Sequence, residues 1–262
     1  MRTEEATNRH LEVAGLRIRC QSKGDGEPAL VLHGWGGSIE AVGSVLSALA
    51  PVTTAYAIDM PGFGESDPPP VPWGTAEYAG FVRKLMDELG IRSAAVIGHS
   101  FGGRVAIRLA VEFPDRVTKL VLVNSAGIRP KRKLGYYRRL ALAKFGKVLE
   151  RVGGHHGARL RAAIVRHTAS ADYLDAGPLR GTFVRIVNED LREHLPRISV
   201  PTLLVWGAQD QDTPLADGQL MERMIPDAGL VVFEHAGHYS YVDAANAFGR
   251  VVRHFLAAEQ AA

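Results

Sequence analysis

Cysteine is almost absent from this sequence: Cys20 is the only one among 262 residues. A single thiol cannot form a disulfide within the chain, which excludes a disulfide-stapled secreted scaffold and favours a reducing compartment. Cys20 lies where apolar and polar residues alternate, so we interpret it as a small strand residue and not as a catalytic thiol.

Long hydrophobic runs are missing as well. The polar first ten residues lead into no apolar stretch, which argues against a signal peptide, and the apolar runs are far too short to cross a bilayer. We therefore expect a cytoplasmic protein with no transmembrane segment. With 46% hydrophobic and 23% charged residues, the composition is typical of one large globular domain, or one domain with an insertion.

The net charge of +3 is unevenly distributed along the chain. Residues 129–167 hold twelve Lys or Arg and a single acid, Glu150, so the remainder of the chain is net acidic. No nucleic-acid-binding motif accompanies the basic segment, and we expect no nucleic-acid partner. His155 and His156 lie side by side without a third ligand at a suitable spacing, so we predict no metal site.

Apolar runs of strand length alternate with segments of helical periodicity. The predicted strands lie at 12–21 (with a hairpin turn at Gly15), 29–32, 52–58, 94–97, 120–123, 202–206 and 230–233. A helix is predicted from Thr75, as N-cap, to residue 89, and the segment from 129 to 197 shows only helical periodicity. This pattern predicts an α/β fold with a mostly parallel sheet covered on both faces. The core would comprise residues 1–128 and 199–262, and residues 129–198 would form a helical cap (lid) inserted between core strands.

Gly98, Ser100 and Gly102 form a G-x-S-x-G pattern between a predicted strand and a predicted helix. A serine at such a sharp turn needs small neighbours, and its hydroxyl is exposed above the sheet. The helix N-terminus then directs amide groups at negative charge that develops on a substrate. An ordinary N-cap serine needs no glycine on both sides. The pattern therefore predicts Ser100 as a nucleophile.

A serine hydroxyl needs a base, and the base needs an orienting carboxylate. His238 follows the last predicted strand, where a loop can carry it above the sheet edge. Asp210 and Asp212 both follow the strand at 202–206. The residues alone leave both aspartates open as the acid.

Two backbone N–H groups are expected to form an oxyanion hole. One belongs to Phe101, directly after the nucleophile, and the other to Trp35 in the glycine-rich loop at 33–37. The alternative for this loop is an ordinary glycine turn.

Four motifs together resemble the α/β-hydrolase superfamily across nearly the whole core. They are H-G-W-G-G at 33–37, D-M-P-G-F-G-E-S at 59–66, G-H-S-F-G-G at 98–103 and G-H at 237–238. The resemblance implies a doubly wound sheet of about eight strands. It favours Asp210 as the acid, since Trp206-Gly207 before it and Pro214 after it match the superfamily's W-G-x-x-D-x-x-x-P setting. It gives the loop at 59–66 a structural role, and Ser100 argues against the superfamily members that use an Asp nucleophile.

The sequence thus predicts a serine hydrolase that cleaves a small or medium carboxylic ester or thioester through an acyl-enzyme, with no cofactor. Hydrolysis of a carbon–carbon bond in a dienoate-type ketone by the same triad is the close alternative. A ligand receptor on this fold, with little turnover, is another. The basic cap segment has three interpretations: a solvated face, a site for an anionic substrate, or a docking surface for an anionic membrane or acidic partner.

Overall fold

The computed structural model describes residues 6–129 and 171–257. Eight strands form one sheet in the order β1-β2-β4-β3-β5-β6-β7-β8. They are β1 (Thr7–Val13), β2 (Leu16–Lys23), β3 (Glu27–Leu32), β4 (Thr53–Ile58), β5 (Ala94–His99), β6 (Val117–Val123), β7 (Thr202–Gly207) and β8 (Ala228–Phe233). Only β2 runs antiparallel to its neighbours, β1 and β4, and all other pairs are parallel. The predicted α/β fold with a mostly parallel sheet of about eight strands is confirmed.

Helices connect the strands and cover both faces of the sheet. Those described are α1 (Gly43–Leu49), α2 (Thr75–Glu88), α3 (Phe101–Glu112), α4 (Ala171–Asp175), α5 (Arg180–Asn188), α6 (Leu215–Met224), α7 (Ser240–Asp243) and α8 (Ala245–Ala257). Short 3₁₀ turns lie at Ile39–Val42, Pro114–Arg116, Gly177–Leu179 and Leu195–Arg197. Between residues 171 and 197 the structure therefore contains helical segments, as the periodicity predicts. Most of the basic segment, from 130 to 167, lies outside the described residues.

The core divides into two apolar layers, one on each face of the sheet. One layer joins β-strand side chains with α2 and α3 through residues such as Val82 and Leu109. The other joins the opposite faces of the strands with α1 and α8 through residues such as Leu46 and Phe248. Strand β5 is buried at every position, which explains why it reads in sequence as a continuous apolar run.

The strand order changes direction at β3, which lies between β4 and β5. The connections leaving the carboxyl ends of β3 and β5 therefore diverge to opposite sides and leave a crevice between them, where ligands bind in doubly wound sheets. Residues 33–37 follow β3, and Ser100 follows β5. The fold thus brings the predicted oxyanion loop and the predicted nucleophile to the same edge of the sheet.

The start of α2 differs from the prediction. Gly74 is the N-cap and Thr75 is the first helical residue. The Gly74 amide donates a hydrogen bond to the Glu77 carboxylate. The Thr75 hydroxyl does not cap the helix and donates to the Glu189 carboxylate at 2.5 Å. A tertiary contact with a distant residue has replaced the local capping role. Among the described helices, none combines the length and apolar character needed to span a bilayer.

Candidate active site

Ser100 occupies a strained backbone conformation at the turn between β5 and α3. Its φ of 51° and ψ of −111° lie in a region that residues with a side chain rarely adopt. The turn is fixed from both sides, because the Ser100 amide donates to Val123 O at 3.2 Å and the Ala126 amide donates to Ser100 O at 3.1 Å. The strand-to-helix turn predicted from the glycine pattern is therefore present.

The flanking glycines of this turn have no room for a side chain. A Cβ on Gly102 would lie 2.2 Å from Leu32 O, and one on Gly98 would lie 2.5 Å from Gly102 O. These contacts are with backbone atoms, so no side-chain movement can relieve them. Helix α3 starts so close to β3 and β5 that only glycine fits at both positions.

The loops after β7 and β8 bring Asp210 and His238 together. His238 Nδ1 lies 2.9 Å from Asp210 Oδ2. The Asp210 side chain is fully buried, and that of His238 retains 14% exposure. Asp212 is exposed, and its backbone amide donates to Asp210 Oδ1 at 2.8 Å. Of the two aspartates that the residues alone leave open, the structure places Asp210 against the histidine.

A dense set of donors surrounds the Asp210 carboxylate. Besides His238, its Oδ2 accepts hydrogen bonds from Asn124 Nδ2 at 2.6 Å and Thr213 Oγ1 at 2.7 Å, and its Oδ1 accepts from the Thr213 amide at 3.0 Å. Burial alone would raise the pKa of Asp210, but the hydrogen bonds from His238, Thr213 and Asn124 hold it well below its ordinary value. The carboxylate therefore stays ionised at neutral pH.

Asn124 joins this carboxylate to the histidine loop, a role that the sequence interpretation did not assign. It is fully buried, has a positive φ of 43° at the end of β6, and reaches Gly237 O at 3.2 Å. Its own Oδ1 accepts a hydrogen bond from Ser240 Oγ at 2.5 Å. A polar residue with turn preference directly after a buried strand was the available sequence signal.

The loop after β3 is held by a buried histidine. The Met60 amide donates to His33 Nε2 at 3.0 Å, so His33 Nδ1 carries the proton and donates to Gly34 O at 2.7 Å. Burial lowers the pKa of His33, which keeps the ring neutral. In the described part of the chain, the amides of Trp35 and Phe101 donate to no other residue. The structure thus leaves both predicted oxyanion-hole donors available.

A cavity of about 540 Å³ connects these groups. Ser100, His238, Trp35 and Phe101 all line it, and Asp210 lies behind His238. Residues from the predicted cap segment contribute to its wall: Asp172, Phe183, Ile186 and Val187. The five predicted site residues therefore converge on one region of the molecule.

The loop at 59–66 borders this region and carries structural hydrogen bonds. Asp59 accepts from the Ile39 amide at 2.7 Å and the Glu65 amide at 2.9 Å. Ser66 Oγ accepts from the Arg19 amide at 3.0 Å. The carboxylate thus organises the loops beside the cavity without lining it.

His99, the neighbour of the predicted nucleophile, packs beneath the predicted base. Its ring centroid lies 4.8 Å from that of His238, and its Nε2 lies 3.0 Å from the His238 carbonyl oxygen. A carbonyl only accepts, so Nε2 carries the proton and donates. Burial, together with the adjacent His238, lowers the pKa of His99 to about 3. His99 is thus a neutral support for the backbone that carries His238.

We expect His99 to make the folded protein less stable as the pH falls. The unfolded chain takes up a proton near the ordinary pKa of 6.5, whereas folded His99 resists until about 3. Within that window protons favour the unfolded state, and one such group adds up to about 1.4 kcal/mol per pH unit to the slope of the unfolding free energy. Urea unfolding between about pH 5 and 7.5 measures this slope.

The variant His99→Gln should show a shallower slope than the wild type. His235→Gln removes an exposed loop histidine and is the matched control. If His99→Gln and the wild type lost stability equally steeply, the buried neutral state of His99 would be refuted.

One group of possible metal ligands exists among residues 6–129 and 171–257. The carboxylates of Asp210 and Asp212 and the His238 ring offer ligand atoms within 4.8 Å of one another. However, Asp210 Oδ2 already accepts three hydrogen bonds, and His238 Nδ1 is one of the donors. The donor set suits an oriented histidine better than an ion. His155 and His156 lie outside the described residues.

Comparison with known proteins gives relatives of several named activities. The chain is 34% identical over 258 residues to the dihydrolipoyllysine-residue acetyltransferase component of the acetoin cleaving system of Cupriavidus necator (94% of this chain, 68% of the relative). It is 30% identical over 272 residues to 2-hydroxymuconate semialdehyde hydrolase of Pseudomonas putida (95% and 94%). It is 29% identical over 261 residues to pimeloyl-(acyl-carrier protein) methyl ester esterase of Aeromonas hydrophila (92% and 100%).

The match to a family model covers most of the chain. Residues 28–245, from the start of β3 to the start of α8, match the model described as the alpha/beta hydrolase fold. The matched segment includes all five predicted site residues. The order of the strands in the sheet and the strained serine after β5 agree with this match. The chain therefore belongs to the alpha/beta hydrolase fold family and is a hydrolase.

Proposed function

We propose that this hydrolase cleaves a carboxylic ester or thioester through an acyl-enzyme, with Ser100 as nucleophile, His238 as base and Asp210 as orienting acid. One observation carries the proposal: the 2.9 Å contact between His238 Nδ1 and Asp210 Oδ2 lies at the wall of the cavity that Ser100 also lines. A nucleophile, a base and a buried carboxylate in that relation are the minimum set for serine catalysis.

In the first half-reaction the Ser100 oxygen attacks the substrate carbonyl. The Nδ1–H of His238 donates a hydrogen bond to Asp210 and keeps its proton, so Nε2 is left to accept the proton that the serine hydroxyl loses. The ionised Asp210 stabilises the resulting imidazolium. The amides of Trp35 and Phe101 donate to the oxygen that becomes negative, and each such donor is worth about 10²–10³ in turnover.

The leaving alcohol or thiol takes the proton from His238 as the tetrahedral intermediate collapses. Water then attacks the acyl-serine, with His238 again accepting a proton. The carboxylic acid departs and Ser100 regains its hydrogen. The protein groups complete this cycle by proton transfer and charge stabilisation.

The segment from 129 to 198 is proposed as the cap that covers the site, with residues 1–128 and 199–262 as the hydrolase core. Phe183 and Ile186 on α5 and Asp172 on α4 line the cavity. The substrate would thus be enclosed between the crevice of the core and the helices of the cap, and the cap would set its size and charge.

Two assays test this proposal together. Methyl and thiomethyl esters of acyl chains from about two to eight carbons are assayed for hydrolysis, and a fluorophosphonate probe is added to folded protein and mapped by mass spectrometry. We expect turnover of part of the series and a single label on Ser100. Absence of turnover, or labelling elsewhere with Ser100 unmodified, would refute the assignment.

Carbon–carbon bond hydrolysis of a dienoate-type ketone is the second candidate. The specific observation in its favour is the 30% identity, over 95% of the chain, to a protein named as a 2-hydroxymuconate semialdehyde hydrolase. The loss of dienoate absorbance on incubation with enzyme measures this activity. If a dienoate ketone is turned over faster than every ester in the series, the second candidate replaces the first.

A further inference from the structure

We propose that Arg104 binds a carboxylate of the substrate, so that the substrate class is a half-ester of a short dicarboxylic acid. This inference rests on the proposed function and specifies its substrate. Arg104 lies on α3, four residues after Ser100, and lines the same cavity. It is only 6% exposed.

The guanidinium of Arg104 forms no ion pair in the part of the chain that the structure describes. Its Nη1 donates to the backbone carbonyl of Glu189 at 3.0 Å, and no carboxylate of residues 6–129 or 171–257 lies within ion-pair distance. Glu189, Asp190 and Asp217 act on it only from farther away. Of its five possible hydrogen-bond donors, most are therefore left for a ligand.

Arg108, one turn farther along α3, shows the contrast. It pairs with Glu189 at 2.7 Å and with Glu112 at 2.8 Å. Its charge is thus satisfied within the fold. A buried cation without an ion-pair partner is costly, and burial lowers the pKa of Arg104 for that reason. An anion entering the cavity would remove that penalty, and a carboxylate matches the guanidinium in two parallel hydrogen bonds.

The charges around the cavity define where an anion would lie. Asp172 and Asp212 line the cavity near His238. Burial, and then the charge of Asp212, raises the pKa of Asp172. A substrate carboxylate is repelled by these two carboxylates and attracted by the guanidinium of Arg104.

The helix sets the spacing between the reacting carbonyl and the anion. Four residues of an α-helix rise about 6 Å, so Ser100 and Arg104 lie about one turn apart along the backbone, and a short linear substrate can reach both side chains. A chain of a few methylene groups spans this distance. The apolar side chains of Phe183 and Ile186, which line the same cavity, can contact those methylene groups.

Matched pairs of substrates test the inference. The pairs are monomethyl esters of the linear dicarboxylic acids from succinate to suberate and neutral methyl esters of equal chain length. We expect the wild type to favour the half-esters. Arg104→Gln should lower kcat/KM for them about 10–100-fold, because a hydrogen-bonded charge pair is lost, and should change the neutral esters less than about threefold.

Two further variants separate binding from structural effects. Arg104→Lys keeps the positive charge but lacks the planar guanidinium that can donate two parallel hydrogen bonds. It should retain part of the preference for half-esters. Arg108→Gln removes the same charge one turn away and loosens the contact with Glu189, yet should leave the preference unchanged. Equal losses for charged and neutral esters in a folded Arg104→Gln, or no loss for either, would overturn the inference.

Calorimetry separates this inference from the proposed function. Adipate is titrated into Ser100→Ala, which needs no turnover, and into Ser100→Ala/Arg104→Gln. Binding that disappears with Arg104 supports the inference even if no ester is hydrolysed. Hydrolysis of neutral esters with no adipate binding would leave the proposed function intact and refute the role of Arg104.

Discussion

Ser100→Ala is expected to lower kcat for ester hydrolysis by about 10⁶. The residues of a catalytic triad act together, so loss of the nucleophile removes nearly all of the rate that the triad contributes. The oxyanion donors and the binding cavity remain in this variant, so a residual rate above that of water is expected. The loss should appear in kcat and in kcat/KM alike, since the missing oxygen contributes to the transition state and little to substrate binding.

Ser125→Ala is the matched control for this variant. Ser125 is fully buried, and its hydroxyl donates to Ala126 O at 2.8 Å, but it does not line the cavity. We expect its activity to stay near that of the wild type. The Ser100→Ala protein must be purified free of wild type. If it then hydrolyses esters as fast as the wild type does, Ser100 is not the nucleophile and the cavity only binds ligands.

The strained backbone adds a second consequence of the Ser100 change. A φ of 51° at a residue with a side chain costs about 1–3 kcal/mol. Alanine keeps that cost and loses only the hydroxyl, so Ser100→Ala should not be strongly destabilised. A drop in activity with an unchanged unfolding midpoint therefore reports chemistry and not misfolding.

The sequence predicts those parts of the site that are marked by residues close together in the chain, such as apolar strand runs and the glycines around Ser100. Strands β5 and β7 are buried along their whole length and appear as short apolar runs. Parallel strands end at one edge of the sheet, so their order alone brings Ser100 and Asp210 near each other. The glycines around Ser100 are required by backbone contacts, which makes that motif readable without any structure.

The parts that the sequence does not predict depend on contacts between distant residues. Asn124 contacts Asp210, 86 residues away, and Ser240, 116 residues away. Neither pairing leaves a periodic trace in the chain. Thr75 shows the same limit, because its hydroxyl reaches Glu189, 114 residues away, instead of capping its own helix. Local propensity cannot anticipate a partner that only the completed fold supplies.

The charge of the site illustrates a related limit. The sequence draws attention to the basic segment from 129 to 167, where cations are numerous. The structure draws attention to Arg104, a single cation that is buried and unpaired within the described residues. A desolvated cation binds an anion more strongly than an exposed one does, because water screens exposed charges.

Asp210→Asn is expected to lower kcat by about 10⁴, through the orientation and tautomer of His238. The structure gives a specific reason for so large an effect. Oδ2 of Asp210 accepts from Asn124, Thr213 and His238, and Oδ1 accepts from two backbone amides. An asparagine amide must present its NH₂ group to one of these donor sets. Either it opposes His238 Nδ1–H and favours the wrong tautomer, or it opposes two amides that cannot move.

Asp212→Asn is the control, since it removes an equal charge two residues away. The Asp212 side chain is exposed, and only its backbone amide touches Asp210. We expect it to retain activity within about tenfold, as the screened charge of an exposed carboxylate contributes little. Steady-state kinetics on both variants decides between the two acids. If Asp212→Asn lost 10⁴ and Asp210→Asn did not, the buried hydrogen-bond network would be structural and the orienting acid would be the exposed residue.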